Sequence, residues 1–186
     1  MTKDNLNMFT QLELEVEEQI THVLHTFQNM TEQQLLHVPK KGSWSISQCF
    51  QHLNSYGDHY LPLLQNEIKN RKRTIASVDC KSSRLGNYFV SIMDPKQSSK
   101  KFKSIKKHIP IDTIPPHQII STHTNQQESL LVYIREFQSH HPTNKRTIPT
   151  SLTSLIKLNV IDTLRFLIIH NSRHIIQASN ILDFMK

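Results

Sequence analysis

"SWSISQCFQHLNSYGDHYLPLL" runs from Ser43 to Leu64 and carries its own start signal. Ser45 stands three residues before Gln48. In such a capping box the hydroxyl accepts a backbone N–H of the first turn and the glutamine reaches back to the cap. Beyond it Ile46, Cys49, Phe50, Leu53, Tyr60, Leu61, Leu64 and Ile68 recur at helical intervals. That spacing predicts an amphipathic helix to about residue 70. Pro62 is expected to bend it, because proline removes one backbone donor and crowds the preceding turn.

The same period appears on both sides. Leu6, Phe9, Leu12, Val16, Ile20, Val23 and Phe27 predict a helix over residues 5–29, and Thr31 with Gln34 forms another capping box before a short turn. "SRLGNYFVSIMD" fits a short helix on Leu85, Tyr88, Phe89 and Ile92. Helical spacing returns over about 117–140 and again from Val160 to Met185. No sustained period-two alternation is present, and seven of the eight prolines fall in the connections. The fold class is therefore all-α: a four-helix bundle with short accessory helices and a long basic loop, expected as one domain over 1–186.

Composition removes several chemistries. Gly42, Gly57 and Gly86 are the only glycines and lie far apart. A P-loop, a dinucleotide fingerprint or a nucleophile elbow needs at least two within a few residues. Cys49 and Cys80 are too few for a disulfide scaffold. The N-terminal stretch lacks the apolar segment of a signal peptide, and "FLII" (Phe166–Ile169) is too short to span a bilayer. A cytoplasmic location without membrane association is expected. Six lysines between Lys96 and Lys107 carry most of the net charge of +7. Aromatic stacking groups beside them are sparse, so no specific nucleic-acid partner is expected.

"HNSRHIIQ", His170 to Gln177, poses the functional question. Residues four apart share a helix face about one turn apart, so two imidazoles can converge on a metal. Yet twelve histidines scattered at random would give about 0.8 such pairs, so spacing alone leaves two readings open: buried core histidines or metal ligands. A third ligand would come from a facing helix. His52 borders the apolar stripe there, and His59 is its rival on the same line. His22 and His25 read as surface residues.

The stretches "KGSWSISQCFQHLN" followed by "YLPLL", "LGNYFVSIMDP" followed by "KKFKSIKKHIP", and "LRFLIIHNSRHIIQASNIL" together resemble the DinB-like superfamily, DNA-damage-inducible helical bundles that include bacillithiol- and mycothiol-dependent S-transferases. The resemblance covers nearly the whole chain. It implies an up-down-down-up bundle and one divalent metal, zinc or nickel, held by His52, His170 and His174. It also makes a low-molecular-weight thiol such as bacillithiol an expected cofactor.

Three neutral imidazoles leave a metal its full charge and an open position, where water or a thiol loses its proton near neutral pH. A thiol S-transferase or a hydrolase of small substrates is then expected, and the alternative is a non-catalytic metal-binding bundle that holds a ligand or partner. Arg173, Gln177, His59 and Trp44 are candidates for the surroundings of the metal or for substrate contact. Arg173 can meet an anion or an acid such as Asp162, Gln177 can hold an imidazole, and Trp44 can start the helix core or wall the pocket. Cys49 reads as a packing residue. A small-molecule substrate or thiol is the expected partner, and a homodimer is a further expectation.

Overall fold

The computed structural model describes residues 3–70, 81–98, 102–111, 113–140 and 145–185. Four long helices dominate: α1 (Lys3–Phe27), α3 (Ile46–Asn70), α5 (Pro116–Ser139) and α6 (Val160–Ser179). Two shorter ones, α2 (Glu32–Leu35) and α4 (Arg84–Met93), sit in the connections. The expected caps are made. Gln48 N–H donates to Ser45 Oγ at 3.2 Å while Ser45 N–H donates to Gln48 Oε1 at 3.0 Å, and Thr31 with Gln34 repeats the arrangement. α4 starts on the Ser83 hydroxyl and α6 on the Asn159 amide oxygen.

α3 continues as helix through Pro62, an exposed residue, so the carbonyl that loses its partner is left on the solvent side. Two local features depart from the sequence reading. The last helix gives way at Asn180 to a 3-10 turn, Asn180–Phe184. A miniature antiparallel ladder, β1 (Ile148–Pro149) with β2 (Lys157–Leu158), joins α5 to α6. Two residues per strand are too short to display alternation in sequence.

The apolar residues form two clusters, and these fix the helix directions. One cluster takes Val23 and Phe27 from the end of α1, Ile46 and Phe50 from the start of α3, Ile119 from the start of α5 and Ala178 from the end of α6. The other takes Phe9 and Leu12, Tyr60 and Leu64, Ile134 and Phe137, and Val160 and Leu164 from the opposite ends. Hence α1 and α6 run one way and α3 and α5 the other, an up-down-down-up bundle. α1 and α3 each pack on both α5 and α6, so they occupy opposite corners. Parallel α3 and α5 need a crossover as long as the bundle, which is why some 45 residues, with α4 among them, separate the two helices.

Between the two clusters lies a polar layer. Gln19 of α1 donates to the Ile168 carbonyl (3.0 Å) and the Ser172 hydroxyl (2.8 Å) of α6. Asn171 of α6 donates to Gln127 of α5 at 2.9 Å, and Asn54 of α3 donates to the Ile119 carbonyl at 2.8 Å. His52, His123 and His170 share this layer, all buried.

His123 has a measurable consequence. It is 1 % exposed, neither ring nitrogen has a partner, and Phe50 packs edge-on against it. Burial pushes its pKa down to about 3. In the unfolded chain an imidazole takes up its proton near 6.5. The unfolded state therefore binds the extra proton as pH falls below that value, and stability is lost from there down to the folded pKa. For this one buried group the loss reaches about 2 kcal/mol at pH 5. Urea unfolding at pH 7 and pH 5 should show His123→Leu losing about 2 kcal/mol less than wild type over that interval. Equal losses in the two proteins would mean that His123 gains its proton in the folded state.

Candidate metal centre

His52 projects from the second turn of α3, and His170 and His174 from successive turns of α6. Each offers one ring nitrogen to a common point, and these three atoms lie within 4.8 Å of one another. His52 Nδ1–H donates to the His108 carbonyl at 2.7 Å, an oxygen that can only accept, so its lone pair resides on Nε2. His174 Nδ1–H donates to the Gln177 amide oxygen at 2.9 Å, which likewise leaves Nε2 free. The His52 and His170 Nε2 atoms face each other at 3.4 Å.

These donors suit a small divalent cation. Zinc–nitrogen bonds of about 2.0–2.1 Å at tetrahedral angles separate ligand nitrogens by about 3.4 Å, close to the His52–His170 spacing. Burial is the main reason all three imidazoles stay neutral. It lowers the His52 pKa, drives His170 well below its ordinary value, and brings His174 down to about 3, with mutual repulsion among the rings assisting for His170 and His174. Neutral rings have lone pairs to give. This buried group can hold a metal ion.

Aromatic rings enclose the cluster. The Trp44 indole lies 4.8 Å from the His52 ring and 5.8 Å from the His174 ring, centroid to centroid. Phe166 stacks parallel to His170 at 5.5 Å, and Tyr56 lies 4.3 Å from it. Trp44 thus packs on two of the three rings and on the neighbouring apolar cluster.

Residues 15–178 match the family model of the DinB superfamily. The chain belongs to the DinB superfamily. No curated protein and no solved structure matches it significantly. The match runs from the middle of α1 through α3 and α5 to the last turn of α6, and includes His52, His170 and His174.

Other residues of this DinB superfamily chain fall into place around that centre. His59, the rival third ligand, stands seven residues along α3 from His52, about 10 Å away, and points its Nε2 at the Pro149 carbonyl (3.3 Å). It is not part of the group. Gln177 holds an imidazole, as its spacing allowed. The Arg173–Asp162 pairing, one of the alternatives for Arg173, does not form, because eleven residues of helix separate them by about 16 Å. Arg173 instead donates to the carbonyls of Met93, the last residue of α4, and of Ser98 just beyond it, and Asp162 accepts the Ser83 N–H. His22 and His25 are exposed.

Cys49 is buried in the apolar cluster, and burial raises its thiol pKa to about 12, which leaves it protonated and unreactive. Cys80, Lys100 and Lys101 lie outside the described residues. Lys96, Lys103, Lys106 and Lys107 are exposed. Among the described residues no helix is long and apolar enough to cross a membrane.

Sequence reasoning missed His108. It sits in a 3-10 turn, Lys106–His108, inside the lysine-rich connection, yet only 3 % of it is exposed. "SIKKHIP" lies in a stretch that carries the family resemblance, but its only local signal is a lone histidine between two lysines and an isoleucine-proline pair, and a link made by a main-chain carbonyl has no side-chain signature.

Proposed function

We propose that this protein is a metal-dependent enzyme that uses a tri-histidine zinc or nickel site to transfer a low-molecular-weight thiol to an electrophile, or to hydrolyse a small substrate. The observation that carries the reading is the donor set. Three neutral imidazoles converge, and among the described residues no carboxylate joins the group. A bound divalent ion would keep its whole charge and an open position, and would supply Lewis acidity that holds a thiol as thiolate or lowers the pKa of water.

The chain's own residues do the rest. His52, His170 and His174 would hold the ion, with His108 and Gln177 fixing two of the rings from behind. Trp44, Tyr56 and Phe166 line the rings and limit water. Exposed Lys103, Lys106 and Lys107 lie on the segment next to His52, where they favour the approach of an anionic thiol such as bacillithiol. In a transfer to an epoxide, the thiolate sulfur forms the S–C bond as the C–O bond breaks, and the alkoxide oxygen takes a proton from water.

The test compares zinc- or nickel-loaded protein, metal-free protein and the His174→Ala variant. Each is supplied with bacillithiol and an epoxide, and separately with small amides and esters. The expected result is conjugation or hydrolysis in the loaded wild type only. Tight metal binding with no acceleration of either reaction would overturn the enzyme reading and favour a metal-containing bundle that binds a ligand or partner.

A further inference from the structure

Several contacts tie the segment from Phe102 to Ile111 to α3, and they gather around His52, whose Nδ1 also lies 3.4 Å from the Ser104 hydroxyl. The His108 carbonyl accepts His52 Nδ1–H at 2.7 Å. The His108 ring nitrogen Nδ1 meets the Ser55 hydroxyl at 2.8 Å, and that hydroxyl donates its own proton to the His52 carbonyl at 2.6 Å. His108 Nδ1–H is therefore the donor in this pair. The His108 ring also stacks on Tyr56 at 3.9 Å and 27°, and Ile111 N–H donates to Gln51 Oε1 at 2.7 Å. Around the buried His108, Lys103, Lys106, Lys107 and Ile109 are exposed. One buried residue thus anchors an otherwise solvated segment.

We propose that His108 is a positioning residue for His52, and that its segment is a clasp which closes more tightly when a metal sits on His52. This rests on the metal-site reading. The imidazole of His108 does not need to touch the ion. Its ring, wedged between Ser55 and Tyr56, sets where the His108 carbonyl stands, and the carbonyl sets the tautomer and tilt of the His52 ring. A cation on Nε2 draws electron density from the ring and makes Nδ1–H a stronger donor, so the bond to the carbonyl strengthens. Linkage makes the effect mutual: whatever factor the metal adds to clasp closure, closure adds to metal affinity. Groups behind a ligating histidine typically change affinity by about 10–100-fold.

The experiment measures zinc affinity by competition with a chromophoric chelator, and trypsin cleavage after Lys103, Lys106 and Lys107 with and without zinc. Cleavage after exposed Lys145 is the internal reference. Wild type should show cleavage at the three clasp lysines slowed by about tenfold or more on zinc binding. His108→Ala should bind zinc about 10–100-fold more weakly and lose that protection. The visible bands of cobalt(II) in place of zinc should also shift, a signature that simple loss of packing elsewhere would not move. Ser55→Ala removes only the ring tether, and should give a smaller change of the same sign if His108→Ala fails to fold. Zinc that binds wild type but leaves clasp cleavage unchanged, or affinity within twofold in both variants, overturns the clasp alone. Wild type that binds no zinc overturns the metal site and the clasp together.

Discussion

His170→Ala protein is expected to bind zinc at least ~100-fold more weakly than wild type while remaining folded. Four-ligand zinc sites carry apparent binding energies of about 10–16 kcal/mol, or about 3 kcal/mol per ligand. The three rings form a nearly equilateral triangle, with centroids 5.2 Å (His52–His170), 4.7 Å (His170–His174) and 4.6 Å (His52–His174) apart, so loss of His170 removes one corner of the donor set. The substitution also removes a buried ring whose Nδ1 has no partner, which limits the penalty to folding. The wild-type pH profile checks the same picture from another side. Protons compete with metal only near the pKa of the ligands, and burial holds all three below the ordinary value. Affinity should therefore stay nearly constant from pH 8 to pH 6. Metal analysis after dialysis, and titrations across that range, test both statements. Unchanged occupancy in the variant would remove His170 from the site.

The largest expected loss of stability comes from one added methyl group. At Gly86, the third residue of α4, a Cβ would stand 2.0 Å from Cγ of Asp162 and 2.1 Å from its Oδ1. Asp162 is fully buried in the first turn of α6, where both carboxylate oxygens accept Ser83 N–H at 3.2 Å. The carboxylate has no exposed position to turn to, so α4 must lift off α6. Overpacking costs about 1–3 kcal/mol and a broken hydrogen bond to a buried charge about as much again. Gly86→Ala should lose about 3 kcal/mol or more, or roughly 6–12 °C in Tm for a chain of this size. Gly57→Ala supplies the contrast. There the new Cβ meets the end of the Gln126 side chain at 2.1 Å, and Gln126 is only partly buried and can rotate away. It forfeits its bonds to the Asn54 carbonyl and Asp58, while alanine gains helix propensity, for a net cost below about 1 kcal/mol. Thermal and urea unfolding of the two variants decide the matter. A Gly86→Ala protein no less stable than Gly57→Ala would contradict the close packing of α4 on α6.

What could be read in advance follows from the range of each interaction. Caps and apolar periods act within four residues, so the capping boxes at Thr31 and Ser45 and the bounds of the long helices, except the C-terminal end of α6, were visible in sequence. The pair His170 and His174 was visible for the same reason. His52 needed the family resemblance, because spacing left His59 equally eligible, and the seven residues between them become decisive only once α6 is placed opposite α3. His108, Asp162 and Gln19 were illegible. Each acts across 50 or more residues, and each bond involves a main-chain group, which has the same chemistry at every position: the His108 carbonyl itself, the Ser83 N–H for Asp162 and the Ile168 carbonyl for Gln19. Gln19 in particular looks like the polar flank of an amphipathic helix until Ile168 and Ser172 are seen against it.

The polar layer across the middle of the bundle also decides which arrangement of these helices is unique. Two wholly apolar clusters would tolerate a helix that slid by one turn, since leucine, isoleucine and phenylalanine meet one another almost interchangeably. A slip of about 5.4 Å along α1 would carry Gln19 away from the Ile168 carbonyl and the Ser172 hydroxyl and leave its amide buried without partners. The same slip along α5 would part Gln127 from Asn171, and along α3 it would part Asn54 from the Ile119 carbonyl. Each mismatch costs about 1–3 kcal/mol. The layer therefore acts as a vernier, locking each long helix in register at the level where the three histidines must meet.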